Sequence, residues 1–428
     1  MLFNQTLTYI SLFSGAGVGC YGLLEEGFEC VATNEILEKR LNIQRINRKC
    51  KLDESYISGD IKKPETKEKI LKQIGFYSKK FGNDRVDLVV ATPPCQGMSV
   101  ANHKKKNDEI KRNSLVIESV DLIKQIKPRF FILENVPSFY KTGCIDKNDN
   151  LLEIGSMIEQ NLSGDYMIYD EVINFKNFGA NSSRTRTLVI GVCKEFKDFT
   201  SALEFFPDFK QEKTLKKVIG SLKPLAWGEY DSADFYHSFR TYPKHMQEWI
   251  KDLKEGQSAF ENIQDAISDL AYLCSNEGAF ESDYLNPIQS SYQALMRKNS
   301  PKLYNHQATN HSQAALEKLK LINKEQGKEC LPKNLHGKQQ FKSTWGRLNW
   351  NKISPTIDTR FDTPSNGTNS HPELHRSITP REAARIQSFS DNYIFYGNKT
   401  SVCKQIGNAV PPLLALALGK AILKSLRK

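Results

Sequence analysis

Apolar residues in this chain gather in short continuous runs, each broken by glycine, proline or a polar turn. Leu7–Phe13 is the first, a β-prone run that breaks into Ser14-Gly15-Ala16-Gly17-Val18-Gly19. A helical pattern carrying Tyr21, Leu23, Leu24 and Phe28 follows, then a second short run, Cys30–Thr33. Asp87–Thr92 stops at Pro93-Pro94, Phe130–Leu133 stops at Glu134-Asn135, and Leu188–Val192 is the last. Runs of this kind are buried on both faces, and with helices between them they predict a parallel α/β sheet covered on both sides. The glycine-rich break falls at the C-terminal end of the first strand, where open α/β sheets bind ligands.

The pattern fades after about residue 195. Residues 196–374 are polar and poorly periodic, with scattered aromatics such as Trp227, Tyr236 and Trp249, and no repeat of 20–50 residues is visible. The pattern sharpens again at Ile378–Arg385, where Pro380 suits the first turn of a helix. An apolar helix follows Val410-Pro411-Pro412. This organisation predicts a catalytic and ligand-binding domain over 1–195, completed by 396–428, and a smaller domain over 196–395.

Composition narrows the class. A chain of 428 residues holds two or three domains. The apolar stretch Pro411–Leu418 is far shorter than the roughly 20 residues that span a bilayer, and the N-terminus lacks the basic and small-residue features of a signal peptide. Nine cysteines, widely spaced and without a C-x-x-C pair, argue against a disulfide framework and against a structural zinc site. The expectation is a cytoplasmic protein with no metal and no membrane association. A net charge of +11 permits a polyanionic partner without requiring one.

Three motifs carry candidate chemistry. The glycine loop lets backbone approach a ligand closely, although a tight strand-to-helix turn has the same composition; Glu35 and Asp60 stand after the next two strand regions as candidate acids. Thr92-Pro93-Pro94-Cys95-Gln96-Gly97 places a cysteine on a stiff step just past a buried strand, which is not where a small core hydrophobe belongs. A free thiol is only a few per cent ionised at neutral pH, so a nucleophilic Cys95 needs local activation. Glu134 follows a buried strand, where desolvation raises a carboxyl pKa and suits it to hold a proton near neutrality; a capping or ion-paired glutamate is the plainer alternative.

Glycine loop, Pro-Pro-Cys-Gln, Glu-Asn-Val and the tail Gln405-Ile406-Gly407-Asn408-Ala409-Val410-Pro411-Pro412 occur in that order. In this the chain resembles the C5-cytosine DNA methyltransferase family over residues 7–192 and 345–420. The resemblance implies a Rossmann-like α/β methyltransferase sheet with helices on both faces, plus a smaller, variable target-recognition domain. It implies S-adenosyl-L-methionine as cofactor and double-stranded DNA as substrate. Cys95 would attack C6 of a flipped cytosine, and Glu134 would contact and protonate N3. Arg184 and Arg186 would steady the base and the active-site carboxylates. Phe13, Ser14, Gly15, Gly17 and Gly19 would hold the cofactor together with Glu35, Asp60, Ile61, Pro93, Asn408 and Ala409. The family's Gln-x-Arg-x-Arg motif departs here, because Ser182 stands in place of the glutamine.

Lys104-Lys105-Lys106, on the segment after Cys95, suits phosphate contacts, which give affinity without sequence information. Sequence reading would fall to about 200–340, a region whose length implies a long or asymmetric target site. A monomer in a bacterial restriction–modification system, with a cognate endonuclease encoded nearby, is the expected setting. The alternatives are a tRNA cytosine-5 methyltransferase, which usually has a small recognition region, and a non-catalytic DNA-binding relative, against which the intact Cys95 and Glu134 argue.

Overall fold

The structure, a computed structural model, describes residues 6–82, 85–94, 113, 115–196, 270, 281–282, 284, 286–288, 291–298, 300–323, 326–336 and 343–426. The chain divides into two compact units. The first comprises Met1–Phe175, Arg184–Asp208 and Ala409–Lys428; the second comprises Lys176–Ser183 and Phe209–Asn408.

Among its described residues the first unit has nine strands: β1 Thr8–Leu12, β2 Glu29–Glu35, β3 Tyr56–Ser58, β4 Leu88–Ala91, β5 Phe130–Asn135, the hairpin β6 Gly143–Ile145 and β7 Leu151–Glu153, β8 Tyr166–Asn174, and β9 Thr185–Cys193. Seven of them form one sheet in the order β3-β2-β1-β4-β5-β9-β8. The strands from β3 to β5 run parallel. β9 runs antiparallel to β5, and β8 antiparallel to β9. The sheet is therefore mixed and not wholly parallel as the apolar runs suggested. A run buried on both faces reads the same in either direction, so Leu188–Val192 could not reveal its orientation.

Helices α1 Tyr21–Glu25, α2 Glu38–Ile46, α3 Pro64–Phe81, α4 Leu115–Ile126 and α5 Ile154–Leu162 connect these strands. Ile70 and Tyr77 of α3, Val116, Val120 and Ile123 of α4, and Met157 and Ile158 of α5 join Ile10, Val89 and Phe131 in one buried core. Helix α1 is shorter than its sequence pattern. Gly27 at φ 85° turns the chain, and Gly27 and Phe28 donate back to the carbonyls of Leu24 and Leu23, each at 3.0 Å, closing the helix in the manner of a Schellman cap. Phe28 therefore lies beyond the helix, still buried. The C-terminal helix Pro412–Leu426 packs against α1 so closely that a Cβ on Gly22 would lie 2.0 Å from the Pro412 carbonyl oxygen.

In the second unit, Thr379 and Glu382 form a capping box at the start of helix Pro380–Ile386, every residue of which is buried. Buried charge is tolerable only when paired. Arg376 grips Glu382 at 2.8 and 2.7 Å, and Arg385 grips Asp391 at 2.8 and 2.6 Å. Arg381 donates to the carbonyls of Tyr304, Ser390 and Tyr393. The neighbouring helix Lys399–Gly407 is tied in by Gln387 Nε2 to the Ile406 carbonyl at 2.6 Å. A Cβ on Gly407 would come within 2.3 Å of the Asp358 carbonyl. These contacts place residues 396–408 in the second unit, whereas the sequence pattern grouped them with the first. Residues 181–183 also belong there: Ser183 donates to the Ser354 carbonyl at 2.9 Å, and Ser354 to that of Asn181 at 3.1 Å.

Candidate active site

Strand β1 lies between β2 and β4, so the chain leaves it toward both sides of the sheet. The crevice at such a reversal, beyond the C-terminal strand ends, is where open α/β sheets hold ligands. Five loops emerge there, one after each of the parallel strands β1 to β5. The first is the glycine loop after β1. Phe13, Gly15 and Gly17 stand at φ 53°, 54° and 88°, so the chain turns through the left-handed region that glycine accommodates. Among the described residues, nothing lies within 4 Å of where a Cβ on Gly15 would sit. Phe13 is half-buried against the core. A Cβ on Gly19 would touch Val410 at 3.4 Å.

The acids sit at the ends of the next two strands. Glu35 closes β2 and is 5% exposed. Its carboxylate accepts from the backbone N–H of Gly15 at 2.9 Å and of Leu37 at 3.2 Å, and Arg40 approaches it at 3.4 Å. Asp60 follows β3, half-exposed, and accepts from the N–H of Lys62 at 3.0 Å. Ile61 beside it is a core residue, 3% exposed. Asn34 binds these loops together: its Nδ2 donates to the carbonyls of Ile57 and Gly59, and its own carbonyl accepts from the N–H and hydroxyl of Ser14.

The loops after β4 and β5 are also joined. Thr92 Oγ1 donates to the Phe13 carbonyl at 3.1 Å. Buried Pro93 accepts from Asn135 Nδ2 at 2.8 Å through its carbonyl. Glu134 is thus one residue from a side chain that grips the backbone two residues before Cys95. Cys95 itself, and the lysine run after it, lie outside the described residues.

Glu134 is the penultimate residue of β5, with Arg186 Nε 3.2 Å from its Oε1. The antiparallel pairing of β5 with β9 sets Glu134 opposite Leu188, which brings Arg186 into range from the start of β9. Burial raises the Glu134 pKa, and Arg186 and Arg184 only partly oppose it. Arg184 is 6% exposed. Ser182 is fully buried, and its hydroxyl has no hydrogen-bond partner among the described residues. Of the tail residues, Asn408 is exposed at the end of helix Lys399–Gly407, and Ala409, which opens the last segment of the first unit, is buried.

Two buried residues of this region carry no motif. Asn34 is one; Gln44 is the other, fully buried on α2 with its amide under the glycine loop. In sequence, Gln44 looks like an ordinary solvent-facing helix residue, and only the fold of a loop 30 positions earlier covers it.

An open, mixed seven-stranded α/β sheet with a glycine loop at the reversal point fits the methyltransferase fold. The family described as C-5 cytosine-specific DNA methylase matches residues 7–424. The chain belongs to that family, and it is a DNA (cytosine-5-)-methyltransferase. It is 30% identical over 357 residues to the Type II methyltransferase M.DdeI of Desulfomicrobium norvegicum, covering 79% of this chain and 72% of that one. It is 26% identical over 425 residues to the Type II methyltransferase M1.HphI of Haemophilus parahaemolyticus, covering 99% and 88%. Among solved structures, an E. coli prophage-encoded protein described as a DNA modification methyltransferase shares the fold. The TM-score is 0.59 at 24% identity, over 99% of this chain and 100% of the other.

Proposed function

We propose that the chain methylates C5 of a cytosine flipped out of duplex DNA, using S-adenosyl-L-methionine, as the modification arm of a restriction–modification system. The observation that carries this reading is the buried Glu134, ion-paired to Arg186, beside the Asn135–Pro93 bond at the base of the Cys95 loop. Phe13, Ser14, Gly15, Gly17, Gly19, Glu35, Asp60 and Pro93 would hold the cofactor. Glu35 at the end of β2, Asp60 just after β3 and the space that the described residues leave beside Gly15 suit a nucleoside bearing a ribose and an amino group.

When bound, the cofactor supplies an electrophilic methyl group to C5. The protein's residues make C5 reactive. Cys95 adds its sulfur to C6, and Glu134 holds a proton at N3, so electron density released by the addition reaches C5. After transfer, loss of the C5 proton and departure of the Cys95 sulfur restore the ring. Arg186 and Arg184 limit how far burial raises the Glu134 pKa, keeping the carboxyl able both to donate its proton and to recover it. Flipping the base costs a few kcal/mol, offset by contacts in the pocket and along the strand.

The second unit would read the target sequence, and the protein would act as a cytoplasmic monomer with a cognate endonuclease encoded nearby. The test is conversion-based sequencing of DNA from cells expressing the chain or its Cys95→Ala variant. Methylated cytosine in one defined context, present only with intact Cys95, is expected. Methylation confined to the tRNA fraction would overturn the DNA substrate, and methylation surviving in Cys95→Ala would overturn the nucleophile.

A further inference from the structure

Beneath the glycine loop runs a chain of hydrogen bonds that no motif announces. Lys49 Nζ donates to Thr33 Oγ1 at 3.1 Å, and Thr33 Oγ1 donates to Gln44 Oε1 at 2.8 Å. Gln44 Nε2 then donates to Ser14 Oγ at 2.8 Å and to the Gly15 carbonyl at 2.7 Å. Ser14 Oγ in turn donates to the Asn34 carbonyl at 3.1 Å. Thr33 and Gln44 are fully buried, and Lys49 is 3% exposed.

The direction of this chain is set at one end. A carboxamide can present either its oxygen or its NH2, and a hydroxyl can turn either way. An ammonium can only donate. With Lys49 donating to it, Thr33 keeps its own hydrogen for the Gln44 oxygen, which it meets at 2.8 Å. The Gln44 NH2 therefore faces the loop, where the Gly15 carbonyl needs a donor. The same loop residue donates its N–H to Glu35, so the shape of Ser14-Gly15 also fixes that carboxylate. Gly17 lies flat on this support: a Cβ there would come within 2.7 Å of Gln44 Cγ and 3.2 Å of Lys49 Cδ.

We infer that Lys49 and Thr33 are positioning residues for the cofactor, acting through Gln44 to hold the glycine loop and Glu35 in their binding shape. This rests on the reading of the loop as the S-adenosyl-L-methionine site. Thr33→Val removes the hydroxyl at nearly constant volume and leaves the buried Gln44 oxygen without its donor, so the side chain loses its anchor beneath the loop. Lys49→Met removes the group that sets the direction.

The experiment uses the full chain and measures equilibrium binding of labelled S-adenosyl-L-methionine, kcat, the KM of each substrate and the melting temperature. In Thr33→Val and Lys49→Met, both Kd and KM for the cofactor should rise about tenfold, the effect of one lost hydrogen bond of roughly 1.4 kcal/mol. The saturated kcat and the KM for DNA should stay within about twofold. Thr33→Ser, which keeps the hydroxyl, should restore the affinity, and the double variant should bind no more weakly than the worse single variant. Unchanged cofactor affinity in Thr33→Val, with or without a lower melting temperature, would overturn the inference and leave the network as packing. If Lys49→Met does not fold, the Thr33→Val and Thr33→Ser pair decides alone. Failure of the unaltered chain to bind the cofactor would instead overturn the site reading beneath it.

Discussion

Glu134 shows how one residue can be costly to bury and still be useful. Its carboxyl is pushed upward by desolvation, with Arg186 and Arg184 in partial opposition. A step that needs its proton therefore slows as pH rises through that raised pKa. Glu134→Gln is expected to slow transfer by ~10²–10⁴-fold, the usual range for a proton-transferring group, and to lack the alkaline limb of the wild-type rate profile. A radiolabelled methyl-transfer assay run from the ordinary carboxylate range upward measures both, and a limb that persists in the variant would assign it to another group. Gly17 offers a second residue-scale test. At φ 88°, and pressed against Gln44, it has no room for a Cβ. Gly17→Ala should weaken cofactor binding while leaving DNA binding intact; equal cofactor affinity in a titration would sink that expectation.

At the scale of elements, the close approach of α1 and the C-terminal helix depends on Gly22. Gly22→Ala would press a methyl group on the Pro412 carbonyl and on the Leu416 amide. Overpacking of this kind costs about 1–3 kcal/mol, visible as a lower melting temperature. Thr379→Ala would remove one arm of a capping box at a buried helix start, at a cost of about 0.5–2 kcal/mol.

The elements also show where the sequence was readable. The buried runs at β1, β2, β4, β5 and β9 are long enough and apolar enough to announce themselves, and Thr379-Pro380 marks its helix by local chemistry alone. Strand β8 did not announce itself, because Tyr166–Asn174 pairs with β9 alone and mixes Asp170 and Glu171 with apolar residues. The sequence names candidate site residues where motifs carry chemistry, at Glu134 and the glycine loop among the described residues. Gln44 and Asn34 were hidden because their roles are defined only by what the folded chain lays over them.

At the scale of the whole molecule, acid should act on the second unit through two histidines. His311 Nε2 accepts from the Ser377 N–H at 3.0 Å, and His371 Nδ1 accepts from the N–H groups of Glu373 and Leu374. Both rings are thus neutral acceptors, and burial lowers their pKa values to about 4 and about 3. The unfolded chain takes up protons at these positions below about pH 6.5 and the folded chain does not. Stability is therefore full above that pH and falls as pH drops toward 4. Asp391, held below the usual carboxylate range by Arg385 despite its burial, extends the loss at lower pH. Melting curves between pH 8 and 4 should show the decline, with a shallower slope in His311→Gln. A melting temperature flat from pH 7 to 5 would contradict this account.

The division of the chain has a consequence for how the protein is made. The first unit takes its opening residues from one extreme of the chain and Ala409–Lys428 from the other. A ribosome that has synthesised the sheet must translate the entire second unit before the helix that covers α1 emerges. Until then α1 lacks the helix that packs against Gly22. The half that carries the glycine loop and Glu134 is thus assembled from segments that residues 209–408 separate, and its covering helix is synthesised only after them.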